Sequence, residues 1–312
     1  DECHRLLHVA QLRPLAEYGR ATIWNPAAKD QRRRTWKRAP LTFETIDDCA
    51  QLGCKALAKH PGFIAGLKRT GRERALIYKT LILTGLRRGE LASLTVGQLE
   101  LDGSTAYATL AAVDDKAGRG ADVPLRTDLV MDLKAWLADK LEEARSEAKA
   151  SGEPVPVNLP VGYPLFNVPL ALVRILDRDL AAAGIAKRDD RGRTVDVHAM
   201  RHTFGTHLSK GGVSPRTAQA AMRHSTITLT MDTYGHLFPG QEADAVGRLR
   251  DFLGVPLADA LLATGTDDQP QESPQSALQQ AQQSERETVR RGATGGDEGA
   301  KSPAQEESPK PL

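Results

Sequence analysis

Apolar residues recur at helical spacing along most of the chain, interrupted by short polar or glycine-containing breaks. This pattern predicts helices over residues 2–15, 42–59, 72–83, 88–94, 128–149 and 170–183. The stretch 72–83 is apolar almost all round, which is typical of a buried central helix, and it ends at Thr84 and Gly85. Thr127 is placed to cap the long helix that follows it.

A different pattern lies between residues 95 and 127. Residues 96–101, 105–111 and 121–125 are strand-like and are separated by glycine-containing turns. They predict three short antiparallel strands. Residues 195–256 add four short helical pieces. The expected fold class is therefore α+β and mainly α-helical, a helical bundle with a small antiparallel three-stranded sheet.

The composition changes at about Leu257. From there onward Gln, Ser, Pro, Gly and acidic residues dominate, and such a segment cannot bury enough apolar surface to offset the cost of ordering it. We expect a folded domain over residues 1–256 and a disordered acidic and polar tail over 257–312. The tail holds ten acidic and five basic residues, while the whole chain has a net charge of +2. Residues 1–256 therefore carry +7, which suits a polyanionic partner.

Cysteine content and hydropathy limit the setting of the protein. The chain has three cysteines, no CxxC pair and no His/Cys cluster with ligand spacing, which indicates a reduced, intracellular protein without structural zinc. It has no apolar run of about 18 residues, so no membrane partner is expected. Aromatic residues make up 4%, which leaves little material for stacking single-stranded bases.

The first candidate for chemistry follows the buried helix and reads TGLRRGEL over residues 84–91. A glycine turn brings Arg87 out of an apolar neighbourhood. A guanidinium in that position needs a partner, because an unpaired buried charge is costly. The partner can be Glu90, as a structural pair, or a phosphate that the guanidinium holds through two hydrogen bonds.

The second candidate reads HAMRHTFGTHL over residues 198–208. At helical spacing His198, Arg201 and His202 share one face with Gly205, and a DNA backbone could closely approach this cationic face. A zinc site is disfavoured, because Ala199 stands where the zinc-protease motif needs Glu. A lone histidine is more often structural, and that interpretation stays open for His202 and His207.

Two further candidates are weaker when each is taken alone. The string RHSTITLTMDTYGH over residues 223–236 carries His224 and, ten residues later, Tyr234. Judged by spacing alone, Tyr234 would be a core aromatic. Lys116 lies in a turn-like segment before the third predicted strand, where an exposed lysine by itself means little.

Together and in this order, these segments resemble the catalytic set of the tyrosine recombinase, or phage integrase, family. The resemblance runs from about residue 72 to 253. The positions that match the family's catalytic residues are Arg87, Lys116, His198, Arg201, His224 and Tyr234, with Glu90 and His202 as supporting residues.

The chain departs from the family's pattern in two places. Met222 and Arg223 stand where the family usually has Leu-Gly before the third histidine, which leaves the role of the histidine intact. Arg119 competes with Lys116 as the cation of the loop, although Lys116 fits the family's spacing better.

The resemblance implies a site-specific DNA recombinase or integrase that needs no cofactor and no metal ion. Tyr234 would attack a DNA phosphodiester and form a 3′-phosphotyrosyl intermediate, which the 5′-hydroxyl of a partner strand resolves. Two arginines would clamp the phosphate, His198 would accept or share the phenol proton, and His224 would hydrogen-bond the phosphate. Lys116 would protonate the departing 5′ oxygen. Nearby cations should help the phenol, whose ordinary pKa is about 10, to ionise.

The resemblance also implies partners and a location. Double-stranded DNA is the expected partner, with a homo-tetramer assembled on DNA through a C-terminal helix over residues 241–253, in the bacterial cytoplasm. Members of the family normally carry an N-terminal core-binding domain that grips the other face of the DNA. Residues 1 to about 70 are too short for it and the chain does not begin with Met, so we expect that domain to be missing and DNA binding to be weak and salt-sensitive.

Two alternatives stay open at this point. A type IB topoisomerase shares the chemistry but relaxes supercoiled DNA without partner sites. A non-catalytic DNA-binding protein would use residues 197–210 and 215–222 as a helix-turn-helix, although such a protein does not need Tyr234 together with both arginines.

Overall fold

The computed structural model describes residues 2–25, 36–114, 118–190 and 192–234, together with 243, 246 and 247. Contacts between Cα atoms divide the chain into two units, Asp1–Ala243 and Asp244–Leu312. The fold described below is that of the first unit. The expected tail over 257–312 lies outside the described residues, as do Lys116 and most of the helix expected over 241–253.

The described residues of the N-terminal part form three helices and a short hairpin. The helices are α1 (Glu2–Gly19), α2 (Ile46–Ala56) and α3 (Pro61–Thr84), and the hairpin is formed by β1 (Thr22–Trp24) and β2 (Trp36–Arg38). The hairpin is antiparallel, with Trp24 opposite Trp36, and both indole rings are exposed and in edge contact. The sequence pattern did not predict this hairpin.

The central part contains the predicted sheet. A short helix α4 (Arg88–Ser93) leads through a single 3₁₀ turn (Val96–Gln98) into the strands β3 (Leu99–Glu100), β4 (Tyr107–Leu110) and β5 (Ala121–Pro124), followed by the long helix α5 (Thr127–Ser151). The strands are antiparallel in the order β3-β4-β5, which confirms the predicted sheet. The predicted cap of α5 is wrong: the residue before the helix is Arg126, and Thr127 is its first helical residue.

Between residues 172 and 234 the described chain forms four helices, α6 (Leu172–Ala182), α7 (Val197–Lys210), α8 (Pro215–Met222) and α9 (Ile227–Tyr234). Two of them begin at side-chain caps. Asp196 Oδ1 accepts a hydrogen bond from the backbone N–H of Ala199 at 3.0 Å, and Ser214 Oγ accepts one from Thr217 at 3.2 Å. These caps fix where α7 and α8 start, and hence which of their residues face the rest of the domain.

The main core surrounds the C-terminal half of α3. Ile77, Tyr78 and Leu81 of this helix are at most 1% exposed and pack among apolar residues of α1, the sheet, α5, α6 and α7. Trp136 of α5 closes one side, with its indole N–H donating to the carbonyl of Leu165 at 3.0 Å. The expected fold class is confirmed, as is the central position of the helix that ends at Gly85. None of the described helices is long and apolar enough to cross a bilayer.

Candidate active site

The turn between α3 and α4 places the first arginine. Gly85 ends α3 in the left-handed conformation (φ 62°), and a Cβ atom there would lie 2.5 Å from Cδ1 of Phe204 on α7. Glycine is therefore required both for the turn and for the close contact between α3 and α7. The turn leads directly to Arg87, which precedes the first residue of α4.

Glu90 holds Arg87 in two ways. Its Oε2 accepts the backbone N–H of Arg87 at 2.9 Å, and its Oε1 accepts Nη1 of the same residue at 2.5 Å. The Glu90 side chain is 2% exposed, whereas that of Arg87 is 31% exposed. Burial opposes ionisation of Glu90, but the hydrogen bonds from Arg87 and the charges of Arg223 and Arg87 outweigh it, so the pKa of Glu90 lies below its ordinary value.

The second arginine lies on α7 and is buried. Arg201 is 3% exposed, and its two terminal nitrogens donate hydrogen bonds to the carbonyls of Gly85 and Met222. One guanidinium thus joins the end of α3, the middle of α7 and the end of α8. Burial, with the charges of Arg223 and Arg87, lowers the pKa of Arg201 to about 10, which leaves it protonated at neutral pH.

A third arginine, Arg223, lies beside these two. Its Nη2 donates to Oε2 of Glu90 at 3.0 Å and to the carbonyl of Gly85 at 3.2 Å. Its backbone is left-handed (φ 54°), which among the described residues makes it the one non-glycine residue with positive φ. That conformation costs an ordinary side chain about 1–2 kcal/mol. The sequence contains one signal for Arg223: this residue stands where the family usually has the glycine of Leu-Gly.

The tyrosine approaches the same cluster from α9. Its ring lies against Gly205 of α7, where a Cβ atom would be 2.4 Å from Cζ of Tyr234, and its backbone carbonyl accepts a hydrogen bond from Ser209 Oγ at 2.9 Å. The phenol oxygen lies 2.9 Å from Nδ1 of His202. Gly205 was expected to admit a DNA backbone. In the structure the space that it leaves is filled by the Tyr234 ring.

The histidines differ in their relation to the tyrosine. His202, treated as a supporting residue from the sequence, is in hydrogen-bonding distance of the phenol oxygen. His198 is exposed and packs edge-on against the ring of His202, with centroids 5.0 Å apart. His224 stacks on Tyr234 with centroids 6.4 Å apart, and its Nδ1 lies 2.9 Å from Oγ1 of Thr230.

The pKa values of these groups are set mainly by burial. Burial, with the charge of Arg201 next in order, lowers the pKa of His224 to about 4, and burial with the charge of His198 lowers that of His202. Burial also raises the pKa of Tyr234 above its ordinary value, although the charge of Arg201 acts in the opposite direction. The charge of Arg201 thus favours ionisation of the phenol, as expected from the sequence, but burial outweighs it.

The structure thus brings together Arg87, Glu90, Arg201, His202, His224 and Tyr234, with His198 at the edge of the cluster. Lys116 lies outside the described residues. Arg119 is described and is exposed in the turn before β5. Because Lys116 is not described, the choice of Lys116 over Arg119 stays a prediction. Among the described residues no group of three or more His, Cys, Asp or Glu side chains is arranged to hold a metal ion.

The segments that form this cluster match a known protein family in sequence. The sequence profile of the phage integrase family matches residues 64–240, a span that contains α4, α7, α8 and α9. The chain belongs to the phage integrase family. The match includes every side chain of the cluster described above.

Individual members of the integrase family show how far the similarity extends. A tyrosine recombinase of Pseudothermotoga lettingae is 29% identical over 174 residues, which are 56% of this chain and 53% of that protein. The tyrosine recombinase XerD of Chlorobaculum tepidum is 28% identical over 218 residues, 70% of this chain and 64% of the relative. A crystal structure of the XerH site-specific recombinase bound to its difH substrate is 18% identical, with a TM-score of 0.41, and covers 58% of this chain and 46% of that one. The chain spans about half the length of the first of these relatives.

Proposed function

We propose that the protein is a site-specific DNA recombinase whose nucleophile is Tyr234. The observation that carries the proposal is the cluster itself: the guanidiniums of Arg87 and Arg223 bind one carboxylate, that of Arg201 lies nearby, and the Tyr234 hydroxyl is close enough to interact with Arg201 electrostatically. Membership of the integrase family supports the same conclusion. The substrate would be double-stranded DNA, and the resulting intermediate a 3′-phosphotyrosyl bond.

The excess of positive charge is what phosphodiester attack requires. Negative charge accumulates on the non-bridging oxygens of the phosphate in the transition state, and preorganised donors stabilise it. Arg201 is held by two backbone carbonyls and keeps further N–H groups, since a guanidinium has five donors. Arg87 is partly exposed, so its guanidinium can turn from Glu90 toward a bound phosphate.

The phenol needs a base because burial raises its pKa. His202 is placed for this role: its Nδ1 lies 2.9 Å from the phenol oxygen, and its lowered pKa keeps it neutral at pH 7. We therefore assign proton acceptance to His202, with His198 packed behind it, rather than to His198 alone. His224 would hydrogen-bond the phosphate.

The reaction is balanced within this set of residues. A bond forms between the Tyr234 oxygen and phosphorus, the bond from phosphorus to the 5′ oxygen breaks, and the phenol proton passes to His202. Lys116 would supply the proton to the departing 5′ oxygen. In the second step the 5′-hydroxyl of a partner strand attacks the phosphorus and gives its proton to Lys116. The bond from phosphorus to the Tyr234 oxygen breaks, His202 returns its proton to the phenol, and the DNA is rejoined. A DNA substrate and three cysteines that are not joined in disulfide bonds fit the bacterial cytoplasm.

Trapping a covalent intermediate tests this function. We expect the full chain to form a denaturant-resistant adduct with a pool of nicked duplexes that tile the DNA flanking its coding sequence, because the nick lets the 5′ fragment diffuse away before religation. Mass spectrometry of the digested adduct should identify the peptide that contains Tyr234. A modified peptide elsewhere in the chain, or DNA binding without an adduct, would contradict the proposal, and the second result would favour a non-catalytic DNA-binding protein. Relaxation of supercoiled plasmid by the monomer, without partner sites, would favour a type IB topoisomerase.

We further propose that four copies assemble on DNA through residues 241–253. At helical spacing Val246, Leu249 and Leu253 would share one side of this segment, and a neighbouring protomer could bury such an apolar stripe. Sedimentation of the full chain with DNA should show tetramers, and truncation after Pro239 should leave monomers on the same DNA. Tetramers of the truncated chain would exclude this segment as the contact.

A further inference from the structure

Arg223 is not one of the residues that match the family's catalytic positions, yet its side chain reaches the centre of the cluster. It follows the last residue of α8, and its side chain is 9% exposed. The backbone there is left-handed, a conformation in which glycine is the least costly residue. A strained backbone of this kind persists only where the surrounding contacts hold it, and such positions concentrate at functional sites.

The contacts that hold Arg223 come from the α3–α4 turn. Its Nη2 donates to the carboxylate of Glu90 and to the carbonyl of Gly85, and Nη1 lies 3.5 Å from the carbonyl of Thr84. Arg201 donates to the same carbonyl of Gly85. The guanidiniums of Arg223 and Arg201 therefore meet at one backbone oxygen.

The two oxygens of Glu90 are divided between two arginines. Oε1 binds the side chain of Arg87, while Oε2 binds Arg223 and the backbone N–H of Arg87. If Arg87 turns toward a phosphate, Glu90 still has a counter-ion. Without Arg223 the same movement would leave a buried carboxylate without a guanidinium partner, which is strongly unfavourable.

We propose that Arg223 is a positioning residue for strand cleavage: it keeps Glu90 in place and paired, so that the Arg87 guanidinium is released to the scissile phosphate. The proposal rests on the recombinase function proposed above. The role belongs to this chain's own sequence, since the usual glycine at this position has no side chain to reach Glu90.

Three substitutions at this position separate the effect of the side chain from the effect of the left-handed backbone. Arg223→Gly removes the guanidinium and relieves the left-handed strain, Arg223→Ala removes it and keeps the strain, and Arg223→Lys keeps a charge but not the paired donors. Arg178→Ala, on the exposed face of α6, is the control for loss of one positive charge. All are made in the full chain.

The measurement is the rate of adduct formation on the nicked duplexes, followed between pH 4 and 9 and compared with DNA affinity. We expect Arg223→Gly and Arg223→Ala to cleave about 10- to 100-fold more slowly, since a small misplacement of a catalytic group has effects of this size. DNA affinity should change less than about threefold, because the other phosphate contacts remain. Arg223→Ala should have the lower melting temperature of the two, and Arg178→Ala should match the wild type in rate.

The pH profile provides a readout that a purely structural role would not change. The charged groups that face Glu90 are Arg87 from the start of α4, Arg223 from the end of α8 and Arg201 from α7. Removing Arg223 should raise the pKa of Glu90, so the acid limb of the cleavage rate should move up by about one pH unit. Arg223→Lys should return the acid limb of the profile to its wild-type pH but restore only part of the cleavage rate.

The outcomes separate this proposal from the function on which it rests. If the wild type forms no adduct, the proposed function fails and the role of Arg223 fails with it. If the wild type forms an adduct and Arg223→Gly forms it equally fast at every pH, only the role of Arg223 is refuted. If the rates of adduct formation of the variants follow their melting temperatures, and Arg223→Gly reaches the wild-type rate, the role of Arg223 is structural alone.

Discussion

Replacing Tyr234 by phenylalanine should abolish the covalent adduct and leave the fold intact. The substitution removes one oxygen, whose hydrogen-bonding contact is with the exposed His202, and it keeps the ring that packs against Gly205. The loss of stability should not exceed about 1 kcal/mol, the usual net value of one hydrogen bond. The rate of adduct formation should fall by at least about 10⁴-fold, as it does when an enzyme loses its nucleophile.

Two measurements check this expectation on the same samples. Adduct formation is followed on denaturing gels with the nicked duplexes, and DNA affinity is followed by fluorescence anisotropy, which should stay close to that of the wild type. His202→Asn is the matched variant: it keeps the nucleophile but loses the base, and its rate should lie between the other two, about 10²- to 10⁴-fold below the wild type. An adduct that persists in Tyr234→Phe would show that another residue attacks the DNA.

Replacing Glu90 by alanine should have the largest effect on stability. This carboxylate is buried and accepts hydrogen bonds from Arg87 and Arg223, with Arg201 nearby. Without it, guanidiniums that converge on one site lose their shared counter-ion. Removal of one partner from a buried ion pair typically costs about 3–5 kcal/mol, and we expect a loss of that size in the free energy of unfolding, measured by urea denaturation.

Glu90→Gln and Glu147→Ala are the controls for this experiment. Glutamine keeps an acceptor for the backbone N–H of Arg87, so its loss should be smaller, while Glu147 is exposed on α5 and its removal should change stability by less than about 0.5 kcal/mol. The folded-state pKa of Glu90 is lowered, so its contribution is present above its ordinary pKa of 4.5 and is lost as the pH falls through the folded value. The difference in the free energy of unfolding between the wild type and Glu90→Gln should therefore become smaller at acid pH. Equal stability of Glu90→Ala and wild type at pH 7 would contradict the description of Glu90 as the shared counter-ion.

Local patterns in the sequence predicted a large part of this fold. The apolar stretch before Gly85 marked the central helix, the turn glycines marked the three-stranded sheet, and Ser214 marked the start of α8. These features depend on residues close together in the chain, where periodicity and capping act. The β1–β2 hairpin was missed because its strands are three residues each and lie farther apart in the sequence than the turns of about two to five residues that signal hairpins.

The candidate site was predictable in its residues but not in its contacts. The order of the arginines, histidines and tyrosine along the chain matched a family pattern, and the structure brings most of them together. Which histidine contacts Tyr234 depends on how α9 lies across α7, and this is decided by contacts between residues far apart in sequence. The role of Arg223 depends in the same way on a carboxylate 133 positions away. The raised pKa of Tyr234 follows from burial, which spacing alone does not report.

The guanidinium of Arg201 has a consequence for how the protein becomes active. It is held by carbonyls of Gly85 and Met222, so its position is defined only when the end of α3, α7 and the end of α8 have docked together. The same docking seats the Tyr234 ring on Gly205. In the proposed recombinase, a nascent or partly unfolded chain would contain the residues that we assign to DNA cleavage but not their arrangement. Cleavage of DNA would then begin only after the tertiary structure is complete.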